Sequence, residues 1–175
     1  MGSVMAVTNV VGAVDKETRT GEADHRALRL WLRLLTCTTL IENDVRARLR
    51  QDFSTTLPRF DLMAQLARHP DGLKMGELSQ RLMVSGGNIT GLTDQLEREG
   101  WVERVAEPGD RRAFRVRLTP AGRDVFAQMA VTHEGWIVAM MEALSPLEQQ
   151  ELYTLLGKLK HAVREPLDLA EPEGR

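Results

Sequence analysis

A single cysteine, Cys37, stands in 175 residues, so no internal disulfide framework and no cysteine-rich zinc site is available, as in chains of a reducing compartment. Aromatic residues are scarce at 5%, and Tyr153 is the only tyrosine. No run of about 18 or more apolar residues exists, which excludes a transmembrane helix and leaves a cytoplasmic protein without a membrane partner as the expectation. Nor is there a basic excess: the formal net charge is −2 and the pI about 6.1, so a nucleic-acid surface would have to arise from local clustering. GxSxG, P-loop and HExxH patterns are missing too. His133 and Glu134 are adjacent on a helical pattern and project about 100° apart, poor geometry for joint ligation. These absences weigh against an enzyme, and no cofactor is implied.

What is present is a 42% hydrophobic, 27% charged chain, ordinary for a globular protein and long enough to bury a core. Residues 1–22 lack a cationic start and a sustained apolar run, and read as a disordered arm. From about Ala23 to Gln51 apolar residues recur at three- and four-residue steps, predicting one long amphipathic helix, bent near Thr36, Thr38 and Thr39. A helix of that length outgrows a compact core, so part of its stripe is expected to meet a partner chain. Its arginines, Arg29 and Arg33 among them, read either as a salt-bridged wet face or as anion ligands.

Pro58 suits the first turn of a second helix bearing Phe60, Met63, Leu66 and Ala67, which His69-Pro70-Asp71-Gly72 ends. Two short helical patterns follow. Met75, Leu78 and Leu82 form one stripe; Ile89, Leu92 and Leu96 form the next, with Val84-Ser85-Gly86-Gly87 turning between them. Ser85 is expected to cap the second helix through its hydroxyl, and Gly100 to end it in the left-handed conformation. This order predicts a helix-turn-helix. The outer side of its second helix would show Ser85, Gly86, Gly87, Asn88, Thr90, Gly91, Thr93, Asp94 and Gln95, small and hydrogen-bonding groups of the kind that enter a major groove. The plain alternative is a turn followed by an ordinary wet face. Glycines inside a helix cost about 1 kcal/mol each, however, and a phosphate near the helix N-terminus would account for them.

Residues 101–105 and 114–118 alternate with period two around the turn Pro108-Gly109-Asp110 and predict a β-hairpin. Between Trp101 and Arg123 six arginines (104, 111, 112, 115, 117 and 123) face three acids. Arginines at the tip, Arg111 and Arg112, beside a helix-turn-helix point to phosphate or minor-groove contact. Thr119 and Pro120 start a long helix, Ser145-Pro146 restarts a last one, and Glu165-Pro166 is expected to stop it before a frayed tail, 165–175. The fold class is therefore mainly α with a small β-hairpin wing: a winged helix-turn-helix at 57–119 and a helical dimerisation region from 23–56 and 120–164.

The span from Leu78 to Gly122, with LMVSGGNITGLTDQLEREGWVER and the wing PGDRRAFRVRLTPAG, resembles the MarR family of transcriptional regulators, and the flanking helices extend the likeness to Ala23–Val163. The resemblance implies a homodimer with one reading head per subunit, set on a double-stranded, pseudo-palindromic operator with half-sites about 34 Å apart. It places the helix from Gly86 to Glu99 in the major groove and Arg112 in the minor groove, with Asp110 holding Arg112 and Arg111 meeting phosphate. It further implies repression relieved by a small aromatic acid. The segments LPRFDLMAQL, RLMVSGGNITGLTDQLE and HEGW look most like regulators of aromatic-acid catabolism, including sensors of hydroxycinnamoyl-CoA thioesters. On that likeness Arg29 and Arg33 would suit a CoA phosphate, and Trp31, Phe60, His133 and Trp136 an aromatic acyl group. The aromatics fit a plain core equally well. Cys37 allows a rival, redox-sensing regulator, against a small buried hydrophobe as the simpler account.

Overall fold

The structure, a computed structural model, describes residues 26–107 and 110–168, and for 107, 110–113 and 165–168 the backbone only. The expected arm at 1–22 lies outside the described residues, as does the tail beyond 168. Among the described residues six helices and three strands follow in the order α1 (Arg26–Phe53), α2 (Leu57–Ala67), β1 (Leu73–Lys74), α3 (Met75–Leu82), α4 (Gly86–Arg98), β2 (Val102–Glu107), β3 (Asp110–Leu118), α5 (Pro120–Met141) and α6 (Pro146–Asp168). The chain divides between Thr56 and Leu57 into two compact units.

In the first unit α1 runs unbroken for 28 residues, without the expected bend. Thr39 donates its hydroxyl to Leu35 O at 2.8 Å, which absorbs the β-branched run within the helix. Arg46 and Arg48 pair with Glu42 and Asp44 one turn back, the salt-bridged alternative for these two. Only Val45 and Leu49 of α1 are buried, while Leu28, Trp31, Leu35 and Leu40 are exposed.

The second unit centres on α2, whose Phe60, Leu62, Met63 and Leu66 are buried with Leu73, Leu78, Ile89, Leu96, Val102, Val116, Leu118, Met129 and Trp136. The sheet is antiparallel in the order β1-β3-β2. β1, which no sequence pattern announced, pairs Leu73 with Val116 and Lys74 with Arg115. Two residues are too few to show a period, but Gly72 betrays the contact. Its φ is +85°, and a Cβ there would stand 2.7 Å from Val116 O. On β3, Val116 and Leu118 face inward as alternation predicts, whereas Phe114 is 45% exposed because the hairpin has left the core by that point. α6 continues past the expected stop at 165–166 to Asp168, since a proline so near a helix end removes one bond without ending it.

Candidate nucleic-acid interface

α3 and α4 form the helix-turn-helix. Glu77 accepts from Lys74 N–H at 2.7 Å and caps α3, and Met83 closes it in the left-handed region at φ 53°. Ser79 Oγ donates to Val84 O at 2.6 Å, which pins the turn. Ser85 occupies the N-cap of α4 but its hydroxyl makes no cap bond, contrary to expectation; only its carbonyl joins the helix, accepting from Ile89 N–H at 3.2 Å. The first N–H groups of α4 thus lie at an exposed end with no side-chain cap.

Gly86, Gly87, Asn88, Thr90, Gly91 and Gln95 lie on the exposed outer side of α4. Thr93 does not. It is fully buried, with its hydroxyl 3.9 Å from Met75 Sδ, because Ile89, Thr93 and Leu96, at i, i+4 and i+7, form the inner stripe in which Leu92 was expected. A side chain sealed inside the subunit reaches no groove. At Gly86, Gly87 and Gly91 an added Cβ would meet nothing within 4 Å, so no packing among the described residues calls for glycine at these positions.

The arginine cluster is largely consumed within the fold. Arg104 donates to both Asp94 and Glu97 of α4, and these carboxylates, Asp94 first, hold its guanidinium above the ordinary value. Arg117 pairs across the hairpin with Glu103 at 2.7 Å. Arg115 donates to Gly72 O at 3.2 Å and Arg123 to Leu118 O at 2.9 Å. Arg111 and Arg112 with Asp110 begin β3, next to a register shift between Ala106 and Glu107. The side chains of these three lie outside the described residues.

A family model for the MarR family matches residues 53–113. The chain is 31% identical over 134 residues to the HTH-type transcriptional regulator YfiV of Bacillus subtilis, covering 77% of this chain and 81% of that one. The chain belongs to the MarR family. A crystal structure of a MarR family regulator from Silicibacter pomeroyi superposes with a TM-score of 0.68 at 32% identity, over 82% of this chain and 99% of that one. The Staphylococcus aureus MepR–DNA complex shares the fold at 19% identity and a TM-score of 0.65, over 81% and 99% of the two chains. Mainly helical architecture, winged helix-turn-helix and DNA-binding transcription regulation are thus those of the MarR family. Its matched relatives are transcriptional regulators. No helix of the described residues is long and apolar enough to cross a membrane.

The residues expected around an effector are divided between the two units. Phe60, His133 and Trp136 come together: Phe60 lies 4.8 Å from the His133 ring and 5.5 Å from Phe126, and His133 lies 6.2 Å from Trp136. Burial pushes the His133 imidazole below its usual value. In the first unit, Arg29 and Arg33 line a shallow hollow of about 230 Å³ with Arg26 and Leu30, and Trp31 is 55% exposed. Cys37, expected as a buried hydrophobe, is exposed together with neighbouring Thr38 and Leu40, because burial on α1 is confined to Val45 and Leu49 further along the helix.

Sequence reading missed Arg59. Its guanidinium pairs with Glu99 at the end of α4 and lies 5.3 Å over the Trp101 ring, tying α2 to the foot of α4. Neither partner is within helical reach in sequence, so no periodicity announced it.

Proposed function

We propose that this MarR-family chain is a homodimeric, effector-responsive repressor that reads a pseudo-palindromic operator with the outer face of α4 and the wing tip. The carrying observation is the outer side of α4: three glycines with open space above them, beside a helix start that no side chain caps. Backbone N–H groups there suit a phosphate, and Asn88, Thr90 and Gln95 offer base-edge partners. Arg112, held by Asp110, enters the minor groove, and Arg111 meets phosphate. A second copy of the chain is supported by α6, where Leu152, Leu156, Leu159 and Val163 form an exposed stripe, each worth about 1.5–3 kcal/mol once buried. Two bound heads occlude the operator, and a cytoplasmic location goes with that task.

The effector is an aromatic acid or its CoA thioester, a reading supported within the second unit by the Phe60, Phe126, His133 and Trp136 cluster, which suits an aromatic ring. Operator binding titrated with salt tests the core of the proposal. Arg112→Ala should weaken binding while Arg111→Ala lowers the slope of log K against log salt by about one. Unchanged affinity and slope in both would refute the wing assignment. For the effector, a compound at about 100 times its dissociation constant should stabilise the fold by about 2.7 kcal/mol. The exposure of Cys37 favours one second reading, redox control. Peroxide that abolishes operator binding by the wild type but not by Cys37→Ser would establish it, and equal loss in both would end it.

A further inference from the structure

α4 carries two carboxylates, Asp94 and Glu97, on a helix whose proposed task is to approach a polyanion. Three residues apart, they share one helical face, and a single cation engages both. Arg104 gives Nη2 to Asp94 and Nη1 to Glu97. It stands opposite Val116 in the hairpin register and two residues after buried Val102, so its stem leaves the core side of the sheet and its head emerges beside α4. The Arg104 side chain is 26% exposed, against 49% for Asp94 and 38% for Glu97. Water screens such a bridge, so its contribution to folding stability is small. Its geometric contribution is larger. One ion pair leaves a helix free to roll about the contact, whereas a planar fork held at two points three residues apart does not.

We propose that Arg104 is a positioning residue: it fixes the roll of α4 against the wing, and so sets the register in which helix and wing engage one duplex. The proposal rests on the DNA-reading assignment above. A roll of about 20° carries a side chain at a radius of about 5–6 Å through about 2 Å, more than a base-edge hydrogen bond tolerates. The same fork masks two negative charges from the approaching phosphates. Arg104 itself, its guanidinium occupied by α4, contributes no phosphate contact.

The test compares wild type, Arg104→Lys, Arg104→Met and Asp94→Asn on two duplexes of about three helical turns. One is the sequence that the wild type enriches from a randomised pool, and the other has random sequence. Lysine keeps the charge but cannot hold both carboxylates. Arg104→Lys should keep its helical signal and cooperative melt, bind random DNA like the wild type, and lose about tenfold on the enriched duplex, the scale of one mismatched base pair. Its salt slope should not change. Arg104→Met should lose at least as much, and Asp94→Asn should fall between Arg104→Lys and wild type. An Arg104→Lys protein that keeps the wild-type preference for the enriched duplex overturns the proposal. So does an equal loss on both duplexes with the slope lower by about one, which would make Arg104 a phosphate ligand. A wild type that enriches no sequence refutes the DNA-reading assignment itself, and is recognised before any variant is made.

Discussion

Replacing Gly91 by alanine separates what the free subunit needs from what a bound duplex needs. Gly91 lies inside α4, on its exposed side, and an added Cβ would meet nothing within 4 Å. A glycine inside a helix is about 0.5–1 kcal/mol less favourable than alanine, chiefly through backbone entropy. With no steric charge against it, Gly91→Ala should therefore stabilise the protein by about that amount, raising Tm by about 1–4 °C. If the duplex backbone closes on this face, the methyl group collides there. Overfilling a packed contact costs about 1–3 kcal/mol, or about 5- to 150-fold in operator affinity. Thermal melting and a fluorescence titration on one preparation give both signs. A lower Tm would refute the reading of Gly91 as free of internal constraint, and a higher Tm with unchanged affinity would refute close approach.

The same substitution at Gly122 should act oppositely, since a Cβ there would stand 1.9 Å from Trp101 O. A backbone oxygen cannot swing aside as a side chain can. Gly122→Ala should cost about 3 kcal/mol and lower Tm by about 6–12 °C, with any loss of DNA binding following the loss of fold.

Two further outcomes are expected. The His133 imidazole titrates below its usual value in the folded state, so the unfolded chain takes up the proton first as pH falls; the stability present above about pH 6.5 is lost below it. The drop in Tm between about pH 7.5 and 5.5 should be smaller for His133→Phe than for wild type, and equal drops would remove His133 from the account. At α6, Leu156→Asp should place a charge in the proposed dimer stripe and halve the mass measured by light scattering, while an unchanged mass would locate the interface elsewhere.

The helix-turn-helix and wing were legible because each rests on a local signal: the 3.6 and 2.0 periods, the breakers His69 to Gly72, and Thr119-Pro120, whose threonine indeed accepts from Gly122 N–H at 2.9 Å. Left-handed Gly100, at φ +74°, was legible for the same reason. Charge was not. Composition showed six arginines near the wing, and nothing local revealed that Arg104 and Arg117 are matched by acids or that Arg115 and Arg123 donate to carbonyls. Pairing depends on tertiary neighbours, and side-chain length lets arginine choose among several. Thr93 failed differently: polarity argued for the outer face, but angular position on the helix decided for the inner one.

The junction between α4, wing and α5 bears on how the proposed effector would act. Trp101 N–H donates to Leu96 O at 2.9 Å, and Thr119 N–H donates to Trp101 O at 3.0 Å. Thr119 Oγ1 donates to Gly100 O at 2.7 Å, and Gly122 leaves no room for a side chain against Trp101. The end of α4, the base of the wing and the first turn of α5 therefore share one backbone joint. With Arg59 holding the foot of α4 and Arg104 its flank, α4 has no cheap way to reorient alone. Under the proposed regulation the effector must move the head as a body, through α5. That helix has 22 residues and is about 33 Å long. A tilt of about 6° at one end carries the other through about 3 Å, close to one base-pair step. An effector that prefers the tilted state therefore mismatches two half-sites without touching a reading residue, and it weakens binding only by as much as it prefers that state.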